Sequence, residues 1–218
     1  MSNQPETREL FINGPVGKLQ AILETPTEAE PIAVAVVCHP HPQHGGTMHN
    51  KVAYTLARTF VRLGFSVIRF NFRGTEASEG QFDEGIGELD DALAAVAWTR
   101  EQQPSKPLWL AGFSFGAAIS VRAAIDVDVS GLISVAPAVS RFASGLSGQP
   151  RCPWLIVQGD EDELVDIDET IDWFNDLEPG PELLVMEGAE HFFHGRLIDL
   201  RESVADFVND AIDADHPP

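Results

Sequence analysis

A serine in the segment GFSFG, residues 112–116, has the spacing Gly-x-Ser-x-Gly that is typical of a catalytic nucleophile. The apolar run LWLAGF leads into it, and FGAAISVRAA, which is rich in small residues, follows it. This order predicts a strand, a sharp turn at Ser114 and a helix, which together hold the serine hydroxyl above a sheet. The alternative is a glycine-flanked serine that only caps a helix. The strand-turn-helix context favours the nucleophile.

A serine hydroxyl needs a base, and the base needs an acid that orients it. In proteins with this kind of turn, the catalytic residues follow one another along the chain in the order Ser, then Asp or Glu, then His. Asp160 and Asp162 both follow the apolar run WLIVQ. We favour Asp162, because it has the spacing Gly-x-x-Asp-x-x-Val that is familiar from hydrolases, whereas Asp160 could brace the turn. Asp166 is predicted to be a solvated or capping carboxylate.

The candidate base is His191, which follows the apolar run LLVME and a short loop. The adjacent Phe192 and Phe193 could shield its imidazole from water. A second histidine, His194, is predicted to be a surface residue or to contact the rim of the pocket. The sequence therefore predicts Ser114, Asp162 and His191 as a catalytic set.

The loop CHPHPQHGG, residues 38–46, follows a predicted strand and should supply a backbone donor to a developing oxyanion. Pro40 and Pro42 have no N–H group. The predicted donor is therefore the amide of His41, paired with the amide of Phe115 at the start of the helix. Losing one such donor costs on the order of 3 kcal/mol of transition-state stabilisation.

Histidines are frequent in and beside this loop, at His39, His41, His44 and His49. Their spacing fits neither a zinc finger nor the His-Glu-x-x-His pattern. We therefore predict no metal and no cofactor, and metal binding remains the alternative.

Four further side chains are candidates for lining the substrate pocket: His39, Arg73, Phe113 and Phe192. Arg73 could tie down its own loop, contact substrate or pair with surface carboxylates. Phenylalanines in these positions could equally belong to the core, so no aromatic substrate is inferred.

Short apolar runs alternate with segments of helical periodicity, which predicts an α/β fold with a mostly parallel sheet covered by helices on both faces. A hairpin of residues 9–13 and 18–24 adds an antiparallel N-terminal edge. Further strands are predicted at 32–38, 66–70, 108–113, 132–136, 154–158 and 183–187. Helices are predicted at 50–63, 87–102, 115–125, 168–177 and 197–212.

Only residues 137–153 join two of these strands, and we predict that they are too few for a cap domain. The active site should therefore be open. The chain of 218 residues is predicted to form one domain, 1–218, with a flexible tail at 213–218.

The net charge of −20 argues against nucleic acid and membrane partners, because such a surface repels phosphates and anionic lipids. The acidity could also reflect a saline habitat. No apolar run is long enough to span a bilayer, and residues 1–10 lack a signal peptide, so a cytoplasmic location is expected. Cys38 and Cys152 are predicted to be buried, reduced thiols.

Six motifs together resemble the compact, lidless bacterial α/β-hydrolases related to dienelactone-hydrolase-like and acylpeptidase-like enzymes. They are CHPHPQHGGTMHNKV (38–52), RFNFRG (69–74), FDEGIGELDD (82–91), AGFSFGAA (111–118), GDEDELV (159–165) and GAEHFFHGRL (188–197). The resemblance implies the α/β-hydrolase fold, a triad of Ser114, Asp162 and His191, and oxyanion donors at His41 and Phe115. One departure is the loop RGTEASEG, where relatives tend to have a glycine near Glu76.

The expected activity is hydrolysis of small soluble carboxylic esters or thioesters through an acyl-enzyme, without a cofactor. A peptidase or amidase with the same triad is one alternative. A non-catalytic binding module that keeps the fold is another. A dehalogenase is disfavoured because the turn carries Ser and not Asp. The sequence leaves monomer and homodimer open.

Overall fold

Eight strands form a single sheet within residues 4–142, 146 and 148–215, which the computed structural model describes. The strands are β1 (Glu6–Gly14), β2 (Gly17–Thr25), β3 (Ala33–Cys38), β4 (Phe65–Phe70), β5 (Leu108–Phe113), β6 (Gly131–Val135), β7 (Trp154–Gly159) and β8 (Glu182–Met186). Their order is β1-β2-β4-β3-β5-β6-β7-β8. β2 pairs antiparallel with β1 and β4, and the pairs from β4 to β8 are parallel. The predicted parallel sheet with an antiparallel edge is confirmed.

The helices are α1 (Lys51–Arg62), α2 (Ile86–Gln102), α3 (Phe115–Asp126), α4 (Val139–Phe142), α5 (Ile167–Asn175) and α6 (Leu197–Asp215). Local chemistry sets the bounds of α1. The Asn50 side chain accepts hydrogen bonds from the N–H groups of Val52 and Ala53, which caps the first turn. Gly64 follows the last turn with φ of 90°, a conformation that glycine adopts without steric cost.

The core lies on both faces of the sheet because alternate strand residues point to opposite sides. In β3, Ala35 and Val37 pack towards α1 and α6, whereas Val34 and Val36 pack towards α2 and α3. All six residues of β3 are buried. A strand that is covered on both faces has a continuous apolar sequence, and the sequence AVAVVC of β3 is of this kind.

The connection between β6 and β7 contains α4, a single helical turn that the sequence analysis did not predict. The prediction placed only a link at 137–153, since four residues are too short for helical periodicity to be visible. Residues 143–145 and 147 of this link lie outside the described part of the chain.

The last helix is longer than predicted. Helix α6 continues to Asp215, so residues 213–215, which the prediction assigned to the tail, are helical. Ala214 favours a helix, and the first proline after α6 is Pro217. Residues 216–218 lie outside the described residues. Across the described helices, none combines the length and apolar character needed to cross a membrane.

Both cysteines are free thiols, but only Cys38 is buried as predicted. Cys38 is buried in β3, and burial raises its pKa. Cys152 is half-buried, and its pKa is raised to about 12, first by burial and then by the nearby charge of Asp128. Neither thiol is therefore a reactive thiolate at neutral pH.

Candidate active site

Ser114 occupies the sharp turn between β5 and α3, with φ of 56° and ψ of −117°. The neighbouring glycines allow this turn. A Cβ on Gly112 would lie 2.2 Å from the carbonyl oxygen of Gly116, and a Cβ on Gly116 would lie 2.4 Å from that of His39. A strained non-glycine residue of this kind costs about 1–3 kcal/mol and persists where the surrounding structure enforces it. The hydrogen bond from Ser114 N–H to the Val135 carbonyl, 2.8 Å long, helps to hold the turn.

A continuous row of hydrogen bonds joins three side chains from distant loops. The distance between Ser114 Oγ and His191 Nε2 is 3.2 Å, and that between His191 Nδ1 and Asp162 Oδ2 is 2.8 Å. His191 is only 2% exposed. The ring of Phe113, fully buried, lies beneath the imidazole with 4.9 Å between the ring centres. The three residues predicted as a set are therefore brought together.

The Asp162 carboxylate accepts hydrogen bonds on both oxygens. The N–H groups of Leu164 and Val165 donate to Oδ1 at 2.9 and 2.8 Å, and Gln158 Nε2 donates to Oδ2 at 3.1 Å. Burial by itself would raise the pKa of Asp162, but the hydrogen bonds from His191, Val165 and Leu164 outweigh it and lower the pKa below its usual value. The ionised carboxylate favours the His191 tautomer with a proton on Nδ1, which leaves Nε2 free to accept the serine proton.

The competing residues have other contacts. Asp160 Oδ1 accepts the N–H of Gly188 at 2.6 Å and so braces the turn after β8. Asp166 caps α5 through the N–H of Asp168. His194 is exposed and contacts Glu190. Of the alternatives left open, only Asp162 contacts His191.

His39 fixes the orientation of the predicted oxyanion loop. Its Nδ1 lies 2.6 Å from the Pro40 carbonyl oxygen, and its Nε2 accepts the N–H of Phe72 at 3.0 Å. Because a trans peptide is planar, turning the Pro40 carbonyl towards His39 turns the His41 N–H the opposite way. Gly46 packs closely against the Pro40 carbonyl, because a Cβ at this position would lie only 2.1 Å from the Pro40 oxygen. The N–H of Phe115 belongs to the first turn of α3, where helix N–H groups have no intrahelical acceptor.

Two histidines of this loop, His39 and His41, have lowered pKa values. Burial lowers the pKa of His39 to about 4, with a further lowering by His41 and an opposing effect of the Pro40 hydrogen bond. Burial, then His44 and Arg141, lower the pKa of His41 to about 4. Both imidazoles are therefore neutral near pH 7. Within the described residues, no group of three His, Cys, Asp or Glu side chains is arranged to hold a metal ion.

A cavity of about 200 Å³ opens next to Ser114 and His191. Apolar side chains form much of its wall, among them Phe115, Phe142, Leu164 and Phe192. Arg141 also lines it. Phe192 was a predicted pocket residue. Arg141 and Phe142 were missed, because the segment 137–153 was interpreted only as a link. The sequence analysis also missed Gln158 as a hydrogen-bond donor to Asp162, although a polar residue at the end of the apolar run WLIVQ was a usable signal.

Three predicted pocket residues do not line this cavity. His39 is fully buried behind the loop, and Phe113 is fully buried in the core. Arg73 is buried as well, and its guanidinium binds Asp91 with Nε–Oδ2 and Nη2–Oδ1 distances of 3.0 and 2.8 Å. Of the roles considered for Arg73, the structure therefore supports tying down its own loop.

The loop that departs from the resemblance adopts an unusual backbone at the same place. Glu76 has φ of 48°, a region in which glycine is favoured. Its carboxylate accepts a hydrogen bond of 2.7 Å from Asn71 Nδ2, which compensates for part of the strain. The loop thus keeps the conformation that a glycine would take.

The sheet order, the strained serine after β5, the histidine after β8 and the short link between β6 and β7 define an α/β serine hydrolase without a lid. Residues 29–145 match the family described as serine aminopeptidase S33, and the chain belongs to this family. It is 30% identical over 210 residues to protein RP471 of Rickettsia prowazekii (strain Madrid E), covering 92% of this chain and 88% of that protein.

Solved structures agree with this assignment. XC6422 from Xanthomonas campestris, described as an α/β serine hydrolase without a lid, is 44% identical with a TM-score of 0.89, over 94% of both chains. An α/β serine hydrolase homologue from Coxiella burnetii is 47% identical with a TM-score of 0.86, over 91% of this chain and 96% of that one. Est1E from Butyrivibrio proteoclasticus, solved with ferulic acid, shares the fold at 19% identity with a TM-score of 0.83, over 93% and 99% of the two chains. The predicted kinship with lidless α/β-hydrolases is confirmed.

Proposed function

We propose that this protein hydrolyses small carboxylic esters or thioesters through an acyl-enzyme on Ser114. The observation that carries the proposal is the row Ser114–His191–Asp162, whose serine end lies in the wall of a cavity. A hydroxyl hydrogen-bonded to an imidazole that is itself oriented by a buried carboxylate is the arrangement that activates serine.

In the proposed reaction, Ser114 Oγ attacks the carbonyl carbon while His191 Nε2 takes its proton. The N–H groups of His41 and Phe115 stabilise the oxyanion. His191 then gives the proton to the leaving alcohol or thiol, and the C–O or C–S bond breaks. Water, deprotonated by His191, attacks the acyl-enzyme, and the returned proton restores the Ser114 hydroxyl as the acid leaves.

The size of the cavity supports short acyl groups. Its volume of about 200 Å³ lies below the roughly 300–1,000 Å³ of sites for drug-sized ligands. The described residues of the short link between β6 and β7 also include no lid that a lipid surface could open. We therefore expect short soluble esters to be better substrates than emulsified long-chain lipids, measured as kcat/KM across a graded series of acyl lengths. Faster turnover of the long-chain emulsions would contradict this.

Amide hydrolysis is the second candidate, because the family is described as serine aminopeptidase. An aminopeptidase must hold a substrate ammonium, for which a carboxylate in the pocket is the usual partner. Among the described residues that line the cavity there is no Asp or Glu, and Arg141 would repel a cation. This charge pattern favours esters. The ratio of amide to ester turnover on matched acyl groups separates the two.

Labelling with a fluorophosphonate probe tests the nucleophile. Wild type and Ser105→Ala, which alters an exposed serine, should be labelled, whereas Ser114→Ala should not be labelled and His191→Ala should react far more slowly. A folded wild type that resists labelling and hydrolyses no ester would overturn the proposal and favour a binding module that keeps the fold.

A further inference from the structure

The wall of the cavity is unlike the rest of the protein in charge. The chain has a net charge of −20, with 34 acidic residues and 14 Lys and Arg residues. Yet the described residues around the cavity include no Asp or Glu, and one of them is Arg141. In a protein so rich in carboxylates, this local reversal of charge identifies the cavity as a place for an anion.

Arg141 is available to a ligand. It lies on α4 and is exposed, with its guanidinium carbon 5.6 Å from the centre of the Phe142 ring. Five other arginines form ion pairs with Asp or Glu: Arg58, Arg69, Arg73, Arg196 and Arg201. Arg141 forms none with a described carboxylate, and among the arginines without such a pair it is the one that the described wall of the cavity contains.

Arg141 lies in the same cavity as the oxyanion loop. Burial, then His44 and then Arg141 lower the pKa of His41, so the guanidinium lies close enough to His41 to act on its imidazole. Both residues line the same cavity as Ser114. An anion on the substrate would therefore interact with Arg141 while the scissile carbonyl lies at the serine.

We propose that the substrate of Ser114 is an ester that carries a carboxylate, with Arg141 as the residue that binds this group. The inference rests on the proposed function and names its substrate class. A planar guanidinium pairs with a carboxylate through two parallel hydrogen bonds. One carboxylate has one negative charge, which matches the one positive charge of Arg141 in the described wall. A phosphate dianion would bring a second negative charge with no cation to pair with it in this acidic protein.

The carboxylate could belong to the acyl part or to the alcohol part, and two isosteric pairs distinguish these sources. Monoethyl succinate is compared with ethyl isocaproate, and O-acetyl β-hydroxypropionate with isoamyl acetate. In each pair an isopropyl group replaces the carboxylate at nearly constant shape. For at least one pair, wild type should give a higher kcat/KM with the carboxylate than with its neutral partner.

Arg141→Gln should lower that ratio by about tenfold, which is the scale of one charge-assisted hydrogen bond. Any change in turnover that the substitution causes for both esters of a pair cancels in this ratio, and labelling of Ser114 by fluorophosphonate verifies that the variant is folded with an activated serine. Arg8→Gln is the matched control, because it removes one exposed arginine on β1, at the far edge of the sheet, and should not alter the ratio.

The outcomes separate the two proposals. A labelled, active wild type that shows no carboxylate preference in either pair would overturn the role of Arg141 and leave the esterase proposal intact. An equal ratio in wild type and Arg141→Gln would do the same. Failure of wild type to label would instead refute the proposed function on which this inference rests.

Discussion

Three aspartates lie between β7 and α5, and their hydrogen bonds distinguish their roles. Asp160 holds the turn at Gly188, Asp166 caps α5, and Asp162 reaches the imidazole of His191. Asp162 also receives two backbone N–H groups, which keep it ionised despite burial. At the scale of single residues, the surroundings of a carboxylate decide what it can do, and residue type alone does not.

Replacing Asp162 by Asn should reduce kcat for a short ester by a factor of about 10³–10⁴ at neutral pH, because an amide does not hold the required tautomer of His191. Steady-state kinetics, with circular dichroism to verify folding, measure this. Asp166→Asn is the matched control: it removes the same charge, and Asn caps a helix as well as Asp. Equal activity of the two variants would remove Asp162 from the proposed triad.

At the scale of elements, the loop between β3 and α1 depends on His39. Its imidazole bridges the Pro40 carbonyl and the N–H of Phe72, and so connects this loop to the one after β4. The bridge requires a neutral ring, because Nε2 must accept a hydrogen bond. Protonation of His39 would therefore break its contact with the Phe72 N–H, which connects the two loops.

We expect the free energy of unfolding to fall as the pH is lowered from 6.5 towards 4. In this window the unfolded chain binds a proton at His39 that the folded protein excludes, since its folded pKa is lowered to about 4. The loss for His39 amounts to about 3 kcal/mol. Urea unfolding of wild type and His39→Asn at neutral pH and close to pH 4 measures it. His41 is present in both proteins and cancels in the difference, so an equal loss in the two would contradict this origin.

At the scale of the whole molecule, the net charge and the fold depend on different residues. The sheet is held by apolar contacts on both faces, whereas the net charge of −20 acts on the surface. Mutual repulsion of this many carboxylates opposes the compact state, and salt screens it. The charge therefore influences stability and the substrates that approach, but it does not determine the fold.

Moderate salt should accordingly raise the Tm. Screening that contributes about 1 kcal/mol at the transition corresponds to a rise of about 2–4 °C for a chain of this size. Thermal melts between about 10 mM and 150 mM salt, over which the Debye length falls from about 30 Å to about 8 Å, measure the effect. Sodium and potassium chloride should act alike if screening is the cause. A Tm that falls with salt would contradict the expectation.

Much of the architecture was predictable because its signals are local. A strand buried on both faces reads as an apolar run, so β3, β4, β5 and β7 were placed to within a residue or two. The turn at Ser114 was equally visible, since the steric needs of a strained serine fix small residues beside it. Helix α4 and the end of α6 were missed, as a single turn and a gradual helix end leave little pattern.

The sequence by itself determined the strand order in the chain, the serine turn and the histidine that follows the last strand. The spacing favoured Asp162 over Asp160, and the tertiary structure shows that Asp162 contacts His191. Only the tertiary structure showed that Arg73 binds Asp91 and that Arg141 lines the cavity. The physical reason is separation along the chain. Backbone conformation depends on neighbouring residues, whereas these side-chain contacts join residues that become neighbours only when the sheet and its loops assemble.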